Sequence, residues 1–276
     1  MLRATRLEAA IGGGNVYMPG PAYWLRGLLT AGALTISGAT EATAFELCGG
    51  AGEPITRAAG RGYDFGVGFD LTSDLVERGI SQGNRKPTFE AQAQAAFGLG
   101  YAGVSFARLD EDAEFSVSLG LRPQWGPLAL DLGVKRSVRA NDPAENETEF
   151  YAAGLFSLTD RLGLGAELNL GTGGERCMQA ALQFDLGRGF EASAELGRVT
   201  FSDAAMIDYS MWGAGLSYEL SDWASIDLRY TATDLSKAAC LSNTDASHLC
   251  GARVMLGLSL STSLARLSTR RARDDD

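Results

Sequence analysis

The sequence predicts an all-β chain, a transmembrane antiparallel up-and-down β-barrel of about twelve strands. Three observations carry that reading. Apolar and polar residues alternate with a period of two through most of the chain. The alternating segments run to roughly 10–12 residues, longer than the ~5–6 of ordinary soluble strands and close to the ~9–11 that cross a bilayer at a tilt. The connections between them are short and long in turn, as in bacterial outer-membrane barrels.

Composition leaves room for this class and excludes others. The 276 residues hold 24 Lys+Arg against 34 Asp+Glu, a formal net charge of −10, and 45% are hydrophobic. A disordered acidic tail would be less apolar and a helical membrane protein more so. Gly, at 35 residues, is far above the usual ~7%, but without a three-residue period and with only 7 Pro the chain is not collagen. No basic patch dominates, so no nucleic-acid partner is expected.

The chain opens with an export signal. Arg26 precedes the small apolar run Leu28 to Ala39, and Ala42-Thr43-Ala44 supplies an A-x-A cleavage site. The run is about half of the ~20 residues that a membrane-spanning helix needs. The alternative is a buried helix of a cytosolic domain. Residues 1–44 are assigned to the signal, with Met18 as a candidate start because the full stretch exceeds the usual ~15–30 residues. Phe45-Glu46-Leu47 before Cys48 is a poor lipoprotein box, so no lipid anchor is expected. Residues 45–62 are expected to be a periplasmic N-terminal segment, 63–264 the barrel, and 265–276 a polar tail.

The barrel elements follow in order. Segment 63–74 places Asp64 and Asp70 on its polar face, and 88–97 places Glu90 there. Segment 100–108 is next. In 113–123, Phe115, Val117, Leu119 and Leu121 oppose Glu114, Ser116, Ser118, Gly120 and Arg122. In 127–138, Leu128, Leu130, Leu132 and Val134 oppose Asp131, Gly133 and Lys135. Segment 147–158 does not show which parity faces out, because Phe150, Tyr151, Leu155 and Phe156 fall on both. In 161–170 the leucines oppose Gly163, Gly165, Glu167 and Asn169, and in 176–186 Met178 to Leu186 oppose Gln179, Ala181, Gln183 and Asp185. Segment 190–201 carries Glu191 and Glu195 on its polar face, 207–220 carries Glu219, 223–233 carries Asp227 and Arg229, and 250–264 carries Arg253.

Short turns such as Gly98-Leu99 and Ser221-Asp222 alternate with longer loops such as 77–87 and 234–249. Tyr101, Trp125, Phe184, Phe190, Tyr218 and Trp223 lie beside the short turns, where an interfacial aromatic girdle would sit. Hydrocarbon cannot hydrogen-bond an open sheet edge, so the last strand must pair with the first. A soluble sandwich or lipocalin-like barrel is the competing architecture; the export signal, strand length and loop alternation favour the membrane barrel.

Leu71-Thr72-Ser73-Asp74 followed by Arg78-Gly79-Ile80-Ser81-Gln82 resembles the first hairpin of the TorF family of outer-membrane porins, with its LTSDY-x-x-RGISQ signature. The resemblance runs from about Tyr63 to Leu264 and includes a late element, Cys250-Gly251-Ala252-Arg253-Val254. It departs at Leu75, where the family usually has an aromatic, and at the last strand, which ends Ser261-Thr262-Ser263-Leu264 without a terminal aromatic. The resemblance implies an outer-membrane barrel of porin type. Outer-membrane lipid, small polar solutes or ions, and the barrel-assembly machinery are the implied partners; oligomeric state is not legible.

No catalytic constellation emerges. The one histidine, His248, sits in the last long loop, and no Gly-x-Ser-x-Gly elbow exists. Gly171-Thr172-Gly173-Gly174 lacks the Lys and helix of a phosphate loop and reads as a loop tip. The chain is not expected to be an enzyme, and no metal or cofactor is expected. Arg78 and Gln82 have two readings: Arg78 folds against lumen acids and narrows the pore, or the motif is a hairpin that needs Gly79 and braces the wall. Alternation puts eleven acids on the polar face (Asp64, Asp70, Glu90, Glu114, Asp131, Glu167, Asp185, Glu191, Glu195, Glu219 and Asp227) against four bases, Arg122, Lys135, Arg229 and Arg253. A passage lined this way should prefer cations. Cys240 and Cys250 flank a polar stretch in an exported chain and are expected to form a disulfide; Cys48 and Cys177 have no evident partner. The expected function is passive diffusion of small polar solutes or ions. The alternative is a structural or adhesive barrel with a filled lumen and partner-binding loops.

Overall fold

The computed structural model describes residues 48–49, 62–110, 112–141, 143, 146–244 and 246–265. The signal at 1–44, the choice of start, most of 45–62 and nearly all of the tail lie outside the described residues.

Twelve long antiparallel strands form a closed barrel. In chain order they are β1 (Tyr63–Thr72), β4 (Thr88–Phe97), β5 (Gly100–Arg108), β6 (Ala113–Leu121), β8 (Leu128–Arg139), β9 (Glu147–Ser157), β10 (Leu162–Gly171), β11 (Glu175–Gly187), β12 (Phe190–Phe201), β13 (Tyr209–Ser221), β14 (Ala224–Thr233) and β15 (Arg253–Ser263). Three two-residue strands complete the numbering: β2 (Val76–Glu77), β3 (Ile80–Ser81) and β7 (Gln124–Trp125). Each long strand pairs with its sequence neighbours, β6 pairs with β8, and β1 pairs with β15 from Gly66↔Ser263 to Thr72↔Gly257, which closes the ring. No strand edge is left for hydrocarbon to desolvate.

Side chains alternate in exposure as the period of two requires. On β11, Cys177, Gln179, Ala181 and Gln183 are buried, while Met178, Leu182, Phe184 and Leu186 are exposed. The exposed set is large and apolar all around the barrel, including Phe65, Leu119, Leu196 and Leu256, whereas the buried set is small or polar. That inversion of a soluble protein's pattern is the signature of a wall facing lipid outside and a polar lumen inside.

Strand β9 settles the parity that sequence left open. Glu149 and Tyr151 point inward, and Phe150 and Phe156 outward. Tyr101 is a correction to the proposed girdle: it is buried on the lumen face of β5, while Trp125, Phe184, Phe190, Tyr218 and Trp223 are exposed on the outside. The last long loop holds a short helix, α1 (Lys237–Thr244), which alternation could not reveal. Ser236 caps it, its Oγ accepting the Ala239 N–H at 3.2 Å. The expected Cys240–Cys250 disulfide ties this helix to the start of the last strand.

Candidate functional site

The lumen is the candidate site. Asp64 and Asp70 on β1, Glu90 on β4, Glu114 on β6, Asp131 and Lys135 on β8, Glu167 on β10, Asp185 on β11, Glu191 and Glu195 on β12, Glu219 on β13, Asp227 and Arg229 on β14 and Arg253 on β15 all occupy the parity of their strand that faces inward. Arg122 follows β6 in the same phase. Alternation alone therefore places them on one surface, because the pleat puts i and i+2 on the same side.

Three of the bases, Arg122, Lys135 and Arg139, gather on one wall. Near the short-turn end, Arg122 Nε meets Asp131 at 2.8 Å, its Nη1 donates to Gln94 Oε1 at 2.6 Å, and its guanidinium lies 3.8 Å from the centre of the Tyr101 ring. The Tyr101 hydroxyl donates to Asp131 at 2.7 Å and also meets the Tyr151 hydroxyl. Higher up, Lys135 pairs with Glu149 at 3.2 Å and Arg139 with Glu114 at 2.9 Å. A cavity of about 120 Å³ lies against this wall, bordered by Glu90, Gln94, Tyr101, Ser105, Glu114 and Lys135.

The first loop turns into the lumen rather than out to solvent. Its β2–β3 hairpin reverses at Arg78 and Gly79, both at positive φ (52° and 76°). Gly79 is required twice: the conformation favours it, and a Cβ there would stand 2.6 Å from Thr233 Cγ2 on β14. Arg78 carries strain that its contacts must offset. Its guanidinium pairs with Glu149, with Glu175 at 3.1 Å and more loosely with Glu77, and its carbonyl accepts the Tyr209 hydroxyl at 3.0 Å. Gln82 Oε1 accepts from Arg139 at 3.1 Å, and Ser81 donates to Asp74 at 2.6 Å while Arg253 pairs with the same carboxylate at 2.9 Å. The hairpin thus spans the lumen from β8 and β9 to β13 and β14, opposite sides of the ring. The hairpin touches the wall on both sides and lies across the lumen.

Electrostatics agree with that closure. Burial by itself would raise the Glu77 carboxyl, but Arg78, Lys135 and Arg139 together hold it below the usual carboxylate value. Burial opposes the charge on Arg78, and Glu77, Glu175 and Glu147 more than offset it, so its pKa lies above the ordinary guanidinium value.

The cysteines bring a correction. Cys48 and Cys177, which sequence left without partners, are bonded to each other across 129 residues, and none of the four cysteines is free. Cys177 faces the lumen, so Cys48 sits inside the barrel, fully buried. Asn169 Nδ2 donates to the Cys48 carbonyl at 2.8 Å, and Lys135 reaches the Gly49 carbonyl. With Val199, Tyr209 and Met211 the bridge forms a small apolar cluster in the long-loop half of the lumen, and Ile80 of the hairpin packs on it.

Sequence reasoning also missed Glu149, Glu175 and Arg139. Glu149 lay in the strand of undecided parity, and the other two fell in stretches read as loops. His248 stays in the last loop, its Nε2 2.8 Å from Asn84 Oδ1.

No protein-family model and no curated protein matches the chain. Solved structures do. The KdgM porin in complex with disordered oligogalacturonate superposes with a TM-score of 0.50 at 9% identity, covering 71% of this chain and 98% of that one. A structure from a study of in-meso crystallization of membrane proteins gives 0.51 at 9% identity, covering 74% and 85%. The NanC porin gives 0.48 at 9% identity, covering 72% and 99%. The closed twelve-strand antiparallel barrel is shared with the KdgM porin structure. At this identity the likeness is one of architecture, and the function must be argued from the lumen itself.

Proposed function

We propose that the protein resides in the bacterial outer membrane and lets small polar solutes or ions diffuse through its lumen, with a preference for cations. One observation carries the selectivity. Across β10 to β14 the described inward-facing residues include seven acids (Glu167, Glu175, Asp185, Glu191, Glu195, Glu219 and Asp227) and a single base, Arg229, while Arg122, Lys135 and Arg139 gather on the opposite wall. A low-dielectric wall with an excess of one sign focuses its field and enriches counter-ions. The likeness of the first hairpin to the TorF family supports the porin reading. Outer-membrane lipid would surround the apolar exterior, and the barrel-assembly machinery would insert it.

Reversal potentials of the purified barrel under a KCl gradient test this. Cation selectivity is expected at low salt and should fade toward 1 M, where the Debye length falls from ~10 Å at 0.1 M to ~3 Å. An anion-selective or unselective channel at low salt overturns it. The inward hairpin and the Cys48 bridge favour a second reading, a structural barrel with a filled lumen; that reading predicts no conductance under any condition.

A further inference from the structure

We propose that the Cys48–Cys177 bridge is the clamp that keeps the Arg78 hairpin across the lumen, so that the width of the passage is under thiol control. The inference rests on the diffusion reading above and adds a closing element to it.

The hairpin is held by two kinds of contact. Polar contacts hold its tip: Arg78 against Glu149 and Glu175, and its carbonyl against Tyr209. Its returning strand adds an apolar contact to the polar ones of Ser81 and Gln82: Ile80 packs on the cluster formed by the bridge with Val199, Tyr209 and Met211. Phe201 and Leu235 pack on the same cluster, which gives Ile80 a dry seat inside an otherwise polar lumen.

Cys48 and Gly49 also act on the polar side. The Gly49 carbonyl accepts from Lys135, and its Cα lies so close to the Glu77 carboxylate that an added Cβ would stand 2.3 Å from Oε1. Glu77 is one of the acids that face Arg78. The short described piece at Cys48–Gly49 therefore touches the hairpin through both its apolar and its charged contacts. Its position depends on a covalent bond to the wall and a hydrogen bond from Asn169. Without the bond, the Ile80 seat loses the bridge and Gly49 is no longer pressed on Glu77. The second disulfide closes a loop of its own between Cys240 and Cys250, and that loop also touches the hairpin, where the Ser81 N–H donates to the Leu249 carbonyl at 3.1 Å and Arg85 to the Cys250 carbonyl at 3.3 Å, so its removal is measured separately.

Opening requires a reductant. A dithiol supplies a thiolate that attacks one sulfur of the bridge. The Cys48–Cys177 bond breaks as a mixed disulfide forms, and the reductant's second thiol then displaces the protein sulfur. The bridge gains two electrons and two protons, leaving two cysteine thiols, and the dithiol departs as a cyclic disulfide.

The test is single-channel conductance of the full mature barrel in a planar bilayer, before and after dithiothreitol, with reduction of the 48–177 bond verified by mass. The Cys48→Ser/Cys177→Ser double variant is measured alongside, and the Cys240→Ser/Cys250→Ser variant serves as control. Reduction and the double substitution should both raise conductance severalfold, and the control variant should respond to dithiothreitol as the wild type does. Reduction of an inserted wild-type barrel needs no refolding, so it decides the matter if the double variant does not assemble. A verified reduced barrel that conducts at the wild-type level overturns the clamp and leaves the diffusion reading standing. A barrel that conducts in neither state overturns both.

Discussion

At the scale of the residue, Arg78 joins acids from three elements, Glu77 on β2, Glu149 on β9 and Glu175 on β11. Glu149 beside it is nearly sealed from solvent, with a side chain only 5% exposed. Removing Arg78 leaves Glu149 with Lys135 alone and takes the direct partner from Glu175, so Arg78→Ala should destabilise the folded-in hairpin by about 3 kcal/mol. Larger conductance and faster proteolysis of the first loop are the expected readouts; an unchanged loop would show that the ion pairs contribute nothing to its position. The pH dependence has a definite sign. Glu77 is held below its ordinary value of 4.5, so its attraction for Arg78, Lys135 and Arg139 is fully present above that value. It is lost as pH falls through the lower folded value. Arg78 stays charged throughout. The Glu77 contribution to closure should therefore be lost, and conductance rise on its account, only below pH 4.5, and an acid-side rise that is unchanged in Glu77→Gln would remove Glu77 from the account. Sequence showed which side chains share the lumen face, because period two is a local property. It could not show who pairs with whom: Arg78 and Glu149 are brought together by a loop folding inward, and nothing in either residue's neighbourhood encodes that.

At the scale of the element, strand β9 shows where alternation fails. Ala152, Ala153 and Gly154 are small on both faces, so no hydrophobic contrast survives in its middle. Its partner supplies the missing information. Gly133 on β8 lies directly opposite Tyr151, and a Cβ at Gly133 would stand 2.7 Å from the Leu119 carbonyl as well as inside the Tyr151 ring position. The glycine makes the space in which the tyrosine lies flat on the wall, with its hydroxyl on Tyr101. Gly133→Val should displace the ring and cost about 1–3 kcal/mol by overpacking. A lowered midpoint for heat-induced unfolding of the barrel is the measurement; an unchanged midpoint would mean that the tyrosine has an alternative rotamer of equal quality. The limits of the other long strands were legible to within about three residues, since turn residues and loop length mark their ends. Helix α1 was not, because eight residues held by a cap and a disulfide carry too little helical period to stand out.

At the scale of the whole molecule, closure, strand number and the inside-out distribution of apolar residues were all readable from the chain. Each follows from local alternation repeated twelve times and from the impossibility of an open edge in hydrocarbon. The mature chain is expected to begin near Phe45 and to fractionate with the outer membrane. N-terminal sequencing of the membrane fraction checks both, and a soluble product that retains residues 18–44 would contradict them. The content of the lumen was not readable, because a bridge joining residues 129 apart leaves no periodic trace.

That bridge also orders events during biogenesis. Cys48 is enclosed by a wall that is complete only when β1 meets β15. A folded oxidoreductase cannot enter a barrel of twelve strands, so an enzyme that forms this bond must act while the seam is open, whereas a small thiol or disulfide can still exchange with it afterwards. Enzyme-catalysed oxidation would therefore fasten Cys48 to β11 before β15 meets β1.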